Sequence, residues 1–138
     1  MTISIYGPLL MAIKRCSADV AFSKAARMAR NNTCEYCGKS DGQIEACHIW
    51  SRRHRSVRWD TLNIVIMCSH HHRMMTENPI MFTQWLEGYV GQGYLDILNE
   101  KRQRIVKVTA KDRKDIARHY RQEIKHMEAG PHDLISYQ

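Results

Sequence analysis

The chain is short of several things, and each shortage removes a class of protein. Glycine (7) and proline (3) are sparse in 138 residues, which excludes collagen-like and low-complexity architectures. No apolar run approaches the roughly 18 residues that a membrane-spanning helix needs, so no membrane partner is expected. The start, MTISIYGPLLMAIKRC, has no positive residue ahead of its short apolar run and no small-residue cleavage site. It is expected to be part of the fold rather than a secretory signal, which implies a cytoplasmic location. The cysteines are Cys16, Cys34, Cys37, Cys47 and Cys68, an odd count that argues against a disulfide framework. Internal repeats are absent.

Acidic residues are scarce in one place only. Residues 101–125 hold ten basic and three acidic residues, while the rest of the chain has eleven of each. The formal charge of +7 therefore sits in one C-terminal stretch. A localised basic excess favours a polyanionic partner, with nucleic acid first; the plainer alternative is a solvated helix face. With 43% hydrophobic and 25% charged residues, the composition is otherwise that of a globular protein.

Periodicity predicts a helix over 18–30, where Val20, Ala21, Ala25 and Met28 recur at three-to-four spacing. A turn-rich knuckle over 34–42 and a short strand over 43–50 follow, then an arginine-rich loop over 51–60. The apolar stretch 62–67 fits a strand or a tight connector. Helices are expected over 68–75, over 79–88 (opened by Asn78-Pro79) and over 94–102. Thr109 and Asp112 have capping-box spacing and open a last helix to about 128, with Ile116, Tyr120, Ile124 and Met127 as its apolar stripe. The domain plan is an N-terminal helical segment 1–33, a metal-bound core 34–78, a helical extension 79–128 ending in the basic helix, and a flexible tail 129–138.

Cys34-x-x-Cys37 and Cys68-x-x-His71 supply four ligands in two knuckles. Zinc takes four soft or borderline donors at tetrahedral corners, and two intervening residues let a tight turn aim both side chains at one ion. A redox CxxC pair is the competing use; it expects a βαβ context, which the pattern lacks. Spacing favours His71 as the fourth ligand but leaves His70 and His72 open. A structural zinc contributes on the order of 10 kcal/mol of apparent folding free energy, which a chain this small can use.

Three more residues fall in register with that frame: His48, Asn63 and His72. The segments CEYCG, EACHIW and DTLNIVIMCSHHH together resemble the HNH (His-Me finger) nucleases, in the subgroup whose ββα-metal motif is held by a two-knuckle zinc. The resemblance covers roughly residues 34–75. It implies an α+β fold, a mostly helical single domain around a zinc-stapled ββα-metal core. It also implies roles: His48 as the general base, Asn63 as the residue that orients it, and His72 as a ligand of a catalytic divalent metal (magnesium, manganese or nickel). The usual second ligand directly before the base is replaced by Cys47, and thiolate suits hard magnesium poorly. Glu45, three before the base, matches an acidic position in two similar phage families. These are the NinG/Rap-type recombination nucleases and a zinc-stabilised endonuclease that resolves Holliday junctions. Glu45 is therefore the expected second ligand and Cys47 the runner-up.

The stretch SRRHRSVR holds four arginines, and Arg52, Arg53, Arg55 and Arg58 are candidate phosphate contacts. Lys111, Lys114, Arg118 and Arg121 of the basic helix are further candidates. Trp59 is expected to anchor the loop. The resemblance thus implies a DNA endonuclease acting on duplex or branched recombination DNA in a phage context, so in the host cytoplasm. A homodimer is expected by analogy with enzymes that cut two strands symmetrically. The alternatives are a nicking, homing-type or non-specific duplex nuclease, or a catalytically silent zinc module that binds nucleic acid or a host factor.

Overall fold

The computed structural model describes residues 13–138; the first twelve, part of the expected segment 1–33, lie outside the described residues. In chain order the elements are α1 (Ser17–Ala29), β1 (Ile44–His48), a 3-10 turn (Thr61–Asn63), β2 (Ile64–Cys68), α2 (Ser69–Glu77), α3 (Pro79–Tyr89), α4 (Gln92–Arg102) and α5 (Ala110–Ala129). The fold is mixed α+β: among the described residues, five helices surround a two-stranded antiparallel sheet. No helix among them is long and apolar enough to cross a membrane.

The two helices far apart in sequence, α1 and α5, pack on each other. Ala18, Ala21, Ala25 and Ala26 keep one side of α1 small, so a neighbouring helix can approach closely, and Phe22 supplies bulk. The α5 stripe of Ile116, Ala117, Tyr120 and Ile124 is buried, and the Phe22 and Tyr120 rings lie 5.0 Å apart. The capping box opens α5 as expected: the Asp112 N–H donates to the Thr109 hydroxyl (3.1 Å) and the Thr109 N–H to the Asp112 carboxylate (2.8 Å). Asp19 makes the equivalent contact at the start of α1, accepting the Cys16 N–H at 2.8 Å.

Strands β1 and β2 pair with Ile44 opposite Cys68 and His48 opposite Ile64. Two five-residue strands are marginal alone. Here all five residues of β2 are buried, and α1 and α2 both contact the hairpin. Glu35 closes the outer edge of β2: its N–H donates to the Ile66 carbonyl (2.7 Å) and its carboxylate accepts the Ile66 N–H (2.6 Å). The knuckle that carries Cys34 and Cys37 is thereby tied to the sheet. Gly38, at φ +81°, takes the left-handed turn that lets its N–H reach the Cys34 carbonyl (2.8 Å).

The long connection from β1 to β2 is pinned from inside. Asn63, fully buried, accepts the Trp50 N–H (2.7 Å) and donates to the Trp50 and Val57 carbonyls (2.8 and 3.1 Å). Trp59 is buried, as expected of an anchor, and its carbonyl accepts the Tyr120 hydroxyl at 2.5 Å. The tail 129–138, flexible by sequence, makes specific contacts. Ser136 Oγ accepts the Thr61 N–H (3.2 Å), the Tyr137 N–H donates to the Tyr120 hydroxyl (3.0 Å), and the Ile135 N–H donates to Glu123 (2.7 Å).

Candidate metal centre and adjoining cleft

The two knuckles meet. Cys34 and Cys37 come from the turn after α1, Cys68 from the end of β2 and His71 from the first turn of α2. One ligand atom from each lies within 4.8 Å of every other. His71 Nδ1 is 3.2 Å from Cys68 Sγ and 3.9 Å from Cys34 Sγ. A tetrahedral zinc with Zn–S of about 2.3 Å and Zn–N of about 2.05 Å sets an S···N edge of about 3.6 Å, which those distances bracket. Burial opposes ionisation of Cys34. Backbone N–H groups of Cys68, Cys37 and Tyr36 directed at its sulfur outweigh that and hold its pKa below the ordinary thiol value. Three cysteine sulfurs and an imidazole are a zinc donor set, so the residues fit that ion. His71 is the histidine in the cluster; His70 is exposed, and His72 is engaged elsewhere.

Next to this cluster lies a cleft of about 840 Å³. His48 and His72 both line it, and so do Cys47, Arg15 and Arg52. Helices α3 and α4 form the opposite wall through Phe82, Leu86 and Leu95. His48 donates from Nε2 to the Arg58 carbonyl (3.1 Å), since a carbonyl can only accept. That assigns the tautomer and leaves Nδ1 as the ring's acceptor. Burial lowers the pKa of His48 to about 4, the Arg58 carbonyl opposing the shift and Arg52 adding to it. The ring is therefore neutral at physiological pH.

His72 Nδ1 lies 2.8 Å from Glu45 Oε1, and Gln43 donates to the other carboxylate oxygen (2.6 Å). Of the two alternatives for the second ligand, Glu45 is the one in contact with His72. Burial, and then the Glu45 carboxylate, push the Cys47 thiol up to about 12, so it stays protonated. Carboxylate and imidazole are donors that a hard-to-borderline divalent cation accepts. The donor set thus fits such an ion.

Several expectations need correction. Arg58 is not available to DNA: it is 2% exposed, its guanidinium donates twice to Asp19 (2.9 and 2.6 Å) and once to the Lys14 carbonyl (3.1 Å), and it lies over Trp59. A buried carboxylate captures it before any phosphate could. Asn63 makes no hydrogen bond to His48; it holds Val57, the residue before the carbonyl that His48 uses. Arg52 is half-buried, donating to the Ile13 carbonyl at 3.0 Å, whereas Arg53 and Arg55 are exposed. Lys111, Lys114, Arg118 and Arg121 are exposed on α5, but none lines the cleft, and Lys111 and Arg118 both pair with Asp115 (2.9 and 3.0 Å).

The residues missed from sequence are Asp19, Arg15 and Glu35. Asp19 carried one usable signal, its place three residues into a helix; nothing local couples it to Arg58. No protein-family model, curated protein or solved structure matches the chain. What fold and site define directly is therefore a mixed α+β protein with a three-cysteine, one-histidine cluster beside a histidine-lined cleft.

Proposed function

We propose that this chain is a metal-dependent DNA endonuclease of the HNH type, with β1, β2 and α2 as a zinc-stapled ββα-metal core. The observation that carries the proposal is that His48, at the end of β1, and His72, in the first turn of α2, line one cleft, next to the cluster formed by Cys34, Cys37, Cys68 and His71. Zinc would be held by Cys34, Cys37, Cys68 and His71, and a catalytic magnesium, manganese or nickel by Glu45 and His72. When bound, that second cation supplies positive charge for the oxygen that leaves phosphorus.

The chain's own residues do the rest. His48, neutral and with its Nε2 proton committed to the Arg58 carbonyl, accepts a water proton at Nδ1. The water oxygen forms a bond to phosphorus as the bond from phosphorus to the 3′ oxygen breaks, and that oxygen carries away the electron pair. Asn63 acts as a positioning residue, holding the loop whose carbonyl fixes the ring. Arg15 and Arg52 line the cleft, and Arg53 and Arg55 are exposed on the loop that follows the base; all four suit phosphates flanking the scissile one. Branched recombination DNA is the favoured substrate, on the sequence resemblance alone.

The test compares the parent with His48→Ala on a four-way junction, linear duplex and supercoiled plasmid, each with magnesium, manganese or nickel. The proposal expects cutting by the parent and loss of at least about 100-fold in the variant, the size of a general-base contribution. Equal DNA binding with no cutting by either protein replaces the enzyme with a silent zinc module. The preferred DNA among the three assigns the substrate.

A further inference from the structure

Metal-ligating side chains gather a second time, away from the cleft. Glu123 and His126 are three apart on α5 and so share a face. After α5 the chain passes Gly130, at φ +157°, and Pro131, and brings His132 back to that face. Glu123 Oε1 is 3.0 Å from His132 Nε2, and Glu123 Oε2 is 3.4 Å from His126 Nδ1. One ligand atom from each of the three residues lies within 4.8 Å of the others. We infer that Glu123, His126 and His132 form a second site for a divalent first-row transition metal, and that this ion fastens the C-terminal tail to α5.

The donor chemistry argues for that class of ion. Two imidazoles and one carboxylate suit zinc, nickel or cobalt better than calcium or magnesium. The carboxylate is buried at 4% exposure, while His126 is exposed, so the site is fixed at its base and open at its mouth. The outer contacts suit it as well. The Ile135 N–H donates to Glu123 Oε1 (2.7 Å) and keeps the carboxylate oriented. The Gln122 amide nitrogen lies 3.2 Å from His126 Nε2, and a flip of that amide offers an oxygen to the Nε2 proton that a metal on Nδ1 requires. Binding balances simply: each imidazole presents a lone pair at the nitrogen that now faces Glu123, and its proton resides on the other ring nitrogen or leaves to solvent.

The ion would act beyond its own ligands. The tail continues to Ser136 and Tyr137, which contact Thr61 and Tyr120, and Thr61 opens the turn that ends in Asn63. Fastening the tail therefore steadies the loop around the cleft from outside. This inference needs no cleavage activity and stands whether or not the chain is a nuclease.

The test uses the full chain with its cysteine cluster saturated with zinc. Calorimetric titration with nickel is run on the parent and on His126→Ala/His132→Ala. The variant is expected to bind one ion fewer per chain, with ions at any other site unchanged in both proteins. Hydrogen exchange of the Ile135 and Tyr137 amides should slow in the parent, by roughly 100-fold at a nickel concentration 100 times Kd, and stay unchanged in the variant. If the double variant loses its native near-ultraviolet spectrum, His132→Gln takes its place with the same two readouts. Equal stoichiometry in parent and variant, or tail amides that ignore nickel in the parent, overturns the inference.

Discussion

The Asp19–Arg58 pair offers the sharpest test of the packing around the cleft. Both side chains are buried, 39 positions apart, and joined by two hydrogen bonds of 2.9 and 2.6 Å. Burial alone would raise the Asp19 pKa. The Arg58 hydrogen bonds and charge, with the Cys16 N–H, outweigh burial and bring it from 3.8 to about 2. At about 1.4 kcal/mol per pH unit that displacement is worth about 2 kcal/mol of net stability. Because the folded pKa is depressed, the contribution is complete above about pH 4 and is lost as pH falls through about 2. The cysteine and histidine ligands take up protons and release zinc before that range is reached, so the pair is better weighed at pH 7. Asp19→Asn leaves a buried guanidinium without its counter-charge and should cost about 3–5 kcal/mol; Arg58→Met leaves Asp19 with only the longer Arg52 contact at 3.8 Å and should cost about 3 kcal/mol. The double variant removes both charges and should cost less than the sum, with a coupling energy of about 2 kcal/mol or more. Urea unfolding of the four zinc-loaded proteins measures this. Costs that add to within about 0.5 kcal/mol would refute the reasoning, since they would mean that the two charges do not face each other in a dry site.

Other outcomes follow from the same contacts. Chelation of zinc, or Cys34→Ser, should unfold the chain, since on the order of 10 kcal/mol of apparent folding free energy is at stake; an apo protein that keeps its Tm by circular dichroism contradicts this. Asn63→Ala removes three hydrogen bonds at a fully buried position and should cost about 2–4 kcal/mol while speeding exchange of the Trp50 amide. Its effect on cleavage should track that loop rather than the chemistry, so a variant with normal Trp50 protection and lost activity would contradict the indirect role. For DNA binding, about six phosphate contacts give a log–log salt slope near −5; Arg53→Ala should flatten it by about 0.9, and Arg58→Met should leave it unchanged.

The parts of this design that were legible in the sequence are those with local causes. The Cys34, Cys37, Cys68 and His71 cluster is legible because a knuckle needs its two donors a fixed step apart. The α5 start was visible in Thr109 and Asp112 for the same reason. The start of α1 is less so, because Cys16 is not a usual cap residue. Helix α4 begins at Gln92 rather than near residue 94: Gly91, at φ +86°, takes the turn, and Gly93 sits inside the first turn of the helix instead of before it. Arg58 is not distinguishable in the sequence, because a run of arginines looks uniform until a distant carboxylate selects one of them. The basic helix shows a related limit. Charge reports a preferred class of partner but not a direction, and the apolar stripe of α5 seats it against α1 with none of its basic residues in the cleft.

What holds the candidate base in place is distributed across the chain, and this explains why so small a sheet can carry a site. His48 touches the β1–β2 connection through one carbonyl, that of Arg58. That residue is gripped by Asp19 from α1, its neighbour Val57 by Asn63 from the turn before β2, and its neighbour Trp59 by Tyr120 from α5. The tail adds Ser136 at Thr61, and Ser56 donates to the Arg102 carbonyl at the end of α4 (2.9 Å). Each restraint comes from a different element, and all but the Asn63–Val57 bond close over a long sequence separation, so none could hold an otherwise flexible loop alone against its conformational entropy. Together they convert a twelve-residue connection, 49–60, into a fixed wall. The order of assembly follows: the α1–α5 pair and the β1–β2 hairpin must both be in place before the His48 ring has a defined orientation. A folding intermediate that lacks either should show the His48 ring titrating near its ordinary value rather than near 4.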